Sequence, residues 1–312
     1  MDDLDRMLER WTRSGLIAAD QARAIREAEA SESGTARGIP LVAEVLAYVG
    51  AILALSAVVF IASRIWPNLH AGAQLGLLAL ATGFLGAAGW WMRAGRSPVV
   101  RRLASVLWFL SAAAMGWLAD VVATRVLGLE DGFGLVIGIA LLLYAGFLYL
   151  LRRSSLQQIA VAGGVVFACA GVSDIAGGDD WFGVLLWAAG AAWIALTRAG
   201  VLTPGRTAFA LGAAGVLAGS EALALEFFES PQVWGLALGL ASSAALLYMS
   251  VSFGELVLLG FGMGGLFVFS VQIIEEYLGD GLGGPLALFA SGIALLIAAL
   301  VTVRIKNRVK TS

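Results

Sequence analysis

Glu221 has the strongest claim to chemistry in this 312-residue sequence. It follows Arg206 by about 15 residues of almost wholly apolar sequence, roughly 22 Å along a helix at 1.5 Å per residue. A carboxylate at that depth in hydrocarbon is costly and usually faces a cavity or a partner. It could carry a proton or bind a cation. Alternatively, the helix tilts or ends early and Glu221 reaches the interface. Asp120 is a second candidate, closer to the end of its own apolar stretch. Ser270 and Gln272 share a later stretch with Glu275 and Glu276, and Gln272 and Glu275 stand at i, i+3 on one helix face. Arg64 could pair with Asp120 or Glu221 and tie two helical hairpins together. Alternatively it anchors an interface beside Trp66, its stem in lipid and its head in water.

Other chemistries lack their residues. His70 and Cys169 are the only histidine and cysteine, so there is no disulfide framework, thiolate cluster or His-based metal centre. No Walker loop, GxSxG turn or HExxH pair is present, and the Gly-rich runs lie inside apolar stretches. The expectation is a protein that is not an enzyme and has no metal or cofactor. Acid-only chemistry on a lipid substrate is kept as a third alternative.

The elements that must position these residues are membrane spans. Sixty per cent of the residues are hydrophobic and 13% charged, outside the range of soluble domains. Apolar stretches at 41–63, 71–92, 102–124, 132–151, 155–176, 181–197, 206–227, 231–250, 254–277 and 283–303 are each long enough to cross about 30 Å of hydrocarbon. Eighteen of the 20 Lys and Arg residues fall in the leader, alternate gaps and the tail, leaving only Arg64 and Arg125 on the other side. By the positive-inside rule, both termini are cytoplasmic and the spans even in number, in a cell (cytoplasmic) membrane. The opposite side carries Asp120, Asp174, Glu226, Glu275 and their neighbours, either a cation-attracting vestibule or simply polar loops. Trp66, Trp90, Trp91, Trp181 and Trp234 sit near span ends, as interfacial tryptophans do. Most serines and amides within the spans read as interhelical hydrogen-bonding groups.

A weak repeat of roughly 50 residues begins near Leu156, Arg206 and Leu256, and more loosely at Leu46 and Leu103. It predicts an all-α integral membrane protein of about ten spans, arranged as five hairpins each entering from the basic side. The domains expected are a cytoplasmic helical leader and hinge (1–40), a polytopic domain (41–303) and a basic tail (304–312). The leader is polar and acid-bearing, unlike a cleavable signal peptide. Within it Leu4, Met7, Leu8 and Trp11 recur at i, i+3, i+4, i+7, the stripe of an amphipathic helix that could dock a cytoplasmic partner. Ser14–Gly15 predicts a stop, a second helix follows from Ala18 to Ala30, and Ser31–Gly38 reads as a hinge. With 6 basic and 8 acidic residues, the leader is not a nucleic-acid reader.

The run Trp11-Thr-Arg-Ser-Gly15-Leu16-Ile17 with Gln21-Ala22 and Ile25, and the stretch from Val49 to Trp66 with Leu75-Gly-Leu-Leu, resemble a known bacterial group. It is a family of predicted polytopic membrane proteins catalogued as a domain of unknown function. The resemblance covers roughly the first 95 residues and implies a topology without a chemistry. Ala18 stands where the pattern has a Ser or Thr cap, and Arg64-Ile65-Trp66-Pro67-Asn68 replaces a simple Asn-Trp turn. The leading expectation is a transporter or channel for a small solute or ion, with the lipid bilayer as surroundings. The alternative is a non-transporting scaffold or regulator docking a partner through residues 1–30.

Overall fold

In the computed structural model the described residues are 2–35, 53, 60, 64–94, 98–177, 180–224, 233–278, 289, 292 and 293. They divide between two units, Met1–Leu69 and His70–Ser312.

The first unit holds α1 (Asp2–Arg13) and α2 (Ala19–Thr35). Helix α1 stops where its sequence requires it. Gly15 adopts φ +70°, Leu16 N–H donates to Trp11 O at 3.0 Å and Gly15 N–H to Thr12 O at 3.2 Å. These two bonds form a Schellman closure, and the left-handed residue they need is a glycine. Helix α2 starts without a Ser or Thr cap, but Gln21 Oε1 accepts from Ala18 N–H at 3.0 Å. That is the reciprocal half of a capping box, and it compensates for alanine at this position. Leu8 and Ala22 are the buried apolar side chains of the two helices, and Arg26 Nε reaches Asp5 Oδ1 at 2.8 Å. The expected hinge starts later than its composition suggests. Residues 31–35 remain helical, because no proline interrupts the Ala- and Glu-rich run that precedes them. A 3₁₀ turn at Trp66–Asn68 closes the unit, with Leu69 N–H donating to Trp66 O at 3.2 Å.

Among the described residues, the second unit holds eight helices: α3 (Ala71–Met92), α4 (Pro98–Val121), α5 (Phe133–Leu151), α6 (Ser155–Ala176), α7 (Asp180–Arg198), α8 (Gly205–Ala224), α9 (Val233–Phe253) and α10 (Leu256–Leu278). All eight are long and apolar enough to cross a membrane, and only 17% to 44% of each span is buried within the protein. Their remaining surface is apolar side chain, such as Phe84, Leu143 and Tyr248, which water does not solvate favourably and lipid does. This is a multi-pass integral membrane protein. The expected spans at 41–63 and 283–303, and the basic tail, lie outside the described residues except for isolated helical positions.

The helices pair as α3/α4, α5/α6, α7/α8 and α9/α10. This corrects the predicted hairpins by one span: the first three close pairs are joined at loops bearing Arg93 and Arg96, Arg152 and Arg153, and Arg198, and α9/α10 at Gly254–Glu255, not at the turns the repeat suggests. The reason lies in the glycines. A Cβ at Gly138 would come within 2.6 Å of Ala168 Cα, and one at Gly171 within 2.6 Å of Leu135 Cα. Between α7 and α8, a Cβ at Gly190 would meet Gly212 O at 2.8 Å, and one at Gly219 would meet Gly183 O at 2.7 Å. Backbones approach this closely only where at least one helix carries no side chain at the contact, the small-residue packing that associates helices in lipid.

Single polar ties then cross between hairpins. Ser111 Oγ donates to Thr82 O at 2.8 Å and lies 2.6 Å from Tyr144 Oη, linking α3, α4 and α5. Gln157 Nε2 donates to Ser105 O at 3.0 Å across α6 and α4, and Trp187 Nε1 to Ser242 Oγ at 2.9 Å across α7 and α9. Tyr149 Oη donates to Thr203 O at 2.8 Å and accepts from Thr203 N–H at 2.8 Å, fastening α5 to the loop before α8. Ser111, Ser242, Gln157 and Gln272 thus take part in interhelical bonds, the use expected for most of these groups. Ser105, Ser220 and Ser243 instead hydrogen-bond to carbonyls four residues back on their own helices.

Candidate functional site

Glu221 sits in the last turn of α8, half-buried, facing α10. Gln272 Nε2 on α10 donates to Glu221 Oε1 at 2.5 Å. The second carboxylate oxygen, Oε2, is enclosed and has no partner among the described residues, and Gln272 Oε1 is in the same condition. Buried polar atoms nearly always find a partner, so two adjacent orphan acceptors on one pair of side chains call for an explanation. Both helices hold their residues firmly. Ser220, immediately before Glu221, is fully buried, while Ala224, Leu236 and Phe269 pack α8, α9 and α10 together beside the pair. Gly235 presents no side chain to Ala224, and Gly239 accommodates the Phe269 ring.

An open groove of about 680 Å³ runs along α8 and α10 and includes Glu221 in its wall. Every other lining residue is apolar or glycine, Leu217, Phe261, Val268 and Phe269 among them. Gly260 and Gly264, one turn apart on α10, leave its floor open: a Cβ at either would meet nothing within 4 Å. These two glycines therefore differ from Gly262 and Gly265 on the same helix. There a Cβ would come within 2.9 Å of Leu247 and 2.8 Å of Leu217, respectively.

The other sequence candidates are dispersed. Asp120 is half-buried near the end of α4, just before a single π-helical turn at Val122–Val126, and its carbonyl accepts from Thr124 Oγ1 at 2.8 Å. Helix α4 packs on α3, α5 and α6, whereas Glu221 and Gln272 lie among α8, α9 and α10, so Asp120 does not join them. Arg64 belongs to the first unit, where its guanidinium lies 5.2 Å from the centre of the Phe60 ring. Glu275 is on α10, but its side chain lies outside the described residues, and Glu276 is exposed. Among the rim acids, Asp174 accepts from Gly132 N–H at 3.3 Å, so this carboxylate holds the turn before α5. In the leader Leu8 is buried, which removes it from the docking stripe, while Met7 and Trp11 remain 39% and 38% exposed. The side chain of Leu4 lies outside the described residues.

Sequence reading missed the Glu221–Gln272 bond and the buried amides of Gln157 and Gln158. Two adjacent amides at the mouth of an apolar stretch were the available signal for the second. Nothing local signals the first, because the partners are separated by 51 residues.

The segment carrying the leader, α3 and α4 also has a recognisable lineage. Residues 9–123 match the predicted membrane protein family DUF2157. That family has no assigned function, and its model extends the resemblance through all of α4 and Asp120. The groove, Glu221 and Gln272 fall beyond the DUF2157 segment. No curated protein and no solved structure matches the chain.

Proposed function

We propose that this protein moves a small solute or ion across the membrane, with Glu221 as the residue that carries the cation or proton. One observation supports this above all: an acid within an apolar span has an enclosed, unpartnered oxygen in the wall of a large groove. An ionisable group in that setting costs free energy that packing alone does not require, and such groups mark ion and solute paths. Eight glycine-seamed helices tied by single hydrogen bonds also suit an assembly whose hairpins shift against one another. The basic loops face the cytoplasm in this reading, and the acidic rim draws cations toward the other side. The reading involves no covalent chemistry.

Proteoliposomes under a potassium diffusion potential test it, with a trapped pH dye reporting proton entry and sodium and 2-phenylethylammonium offered in turn. Wild-type protein should exceed empty liposomes for at least one of these. Glu221→Gln should fall to the empty level while eluting as a single species in detergent. Equal flux from the two proteins would overturn the assignment.

A second reading, a scaffold that docks a cytoplasmic partner, is favoured by a separate observation. Met7, Trp11 and Leu16 of the leader hairpin are exposed, Leu16 to 73%. If docking is its role, Trp11→Glu should lose partners that the wild type retains in cross-linked membranes, and identical partner sets would remove this reading.

A further inference from the structure

We infer that the α8/α10 groove binds an organic ammonium with an apolar body, its nitrogen on Glu221 and its body along α10. The inference rests on Glu221 being the cation-carrying group proposed above. Charge comes first: among the described residues Glu221 is the one charged residue in the groove wall, so the complementary occupant is a cation. Donor count comes next. Glu221 Oε1 is taken by Gln272, Glu221 Oε2 has no donor among the described residues, and a primary ammonium brings N–H groups to the one carboxylate of the groove wall.

The class of cation follows from what is absent around the carboxylate. A hard divalent ion needs six or more oxygen ligands, and among the described side chains the oxygens here come from one carboxylate and one amide. No cluster of three ligating side chains occurs among the described residues. A bare ion would also leave most of about 680 Å³ unfilled, whereas that volume lies in the range of pockets holding small organic molecules. The groove extends from Leu256 to Phe269, about 20 Å at helical rise, and Glu221 stands at the Phe269 end beside Gln272. An aryl or alkyl body would therefore lie over Gly260 and Gly264 against Phe261 and Leu217, with its ammonium toward the acidic end.

Equilibrium binding of radiolabelled 2-phenylethylammonium to the full chain in nanodiscs tests this. Wild type should bind saturably, and neutral 2-phenylethanol should fail to compete. Glu221→Gln should weaken binding at least tenfold. Gly264→Leu should do the same, because a Cβ there meets nothing within 4 Å and the larger side chain narrows the groove that Gly264 lines, and it should elute like wild type. Absence of saturable binding to wild type would overturn the inference, as when another protein segment or a second copy fills the groove. Binding unchanged in both variants would overturn it equally. Saturable, Glu221-dependent binding without flux in any assay would uphold this inference and sink the transport reading. Glu221-dependent proton or sodium flux without amine binding would do the reverse.

Discussion

Glu221 and Gln272 illustrate how a buried polar pair behaves once one partner is removed. Gln272→Leu leaves a half-buried carboxylate without its donor, while replacing both residues with leucine removes the need for one. We expect Gln272→Leu to destabilise the protein by about 1–2 kcal/mol and the double variant Glu221→Leu/Gln272→Leu to recover most of it. Thermal unfolding of the four proteins in detergent, as a double-mutant cycle, checks this, and additive losses would mean the two side chains are not coupled. Tyr144→Phe offers a milder comparison. It removes the hydroxyl beside Ser111 but leaves Ser111 Oγ bonded to Thr82 O, so a loss of about 0.6 kcal/mol, the mean for such bonds in membranes, is expected in the same assay. At this scale the sequence showed which residues were unusual, since an acid in an apolar stretch is visible without coordinates. It could not show that Gln272 was the partner, because that contact depends on how two helices far apart in the chain are rotated.

The helices themselves were legible from length and apolarity, and the spans from 71 to 277 agree with α3 to α10 within a few residues. Their pairing was not. A 50-residue period is compatible with grouping each span with the one before or the one after, and periodicity carries no information on the choice. Gly138 against Ala168 and Gly190 against Gly212 make that choice, through contacts that exclude any Cβ. Substitutions on these seams should therefore separate from substitutions in the groove. Gly171→Ala places a methyl group against the Leu135 backbone and should cost about 1–3 kcal/mol, as overpacking does. Gly260→Ala meets nothing and should be neutral or slightly stabilising, given alanine's higher helix propensity. Melting temperatures of the two variants, measured side by side, decide the matter, and equal shifts would count against the seam.

For the whole molecule, the prediction concerns orientation. With Cys169 replaced by alanine, single cysteines at Ser154, on the basic side, and Asp131, on the acidic side, report which face is outside. In intact cells a membrane-impermeant maleimide should label Asp131→Cys and should reach Ser154→Cys only after permeabilisation, with the reverse pattern refuting the positive-inside assignment. The sequence by itself determined that this is a multi-pass helical membrane protein, where its eight described spans run, and which end of α3 to α8 is basic. Those properties follow from hydrophobic length and charge residue by residue, with no need to know a neighbour. Only the tertiary structure decided the hairpin phase, the burial of Leu8, the meeting of Glu221 with Gln272 and the open floor at Gly260 and Gly264. Each of these is set by the rotation and close approach of helices far apart in the chain. In lipid that approach is governed by shape and hydrogen bonding, because apolar side chains gain nothing from leaving one another for the bilayer.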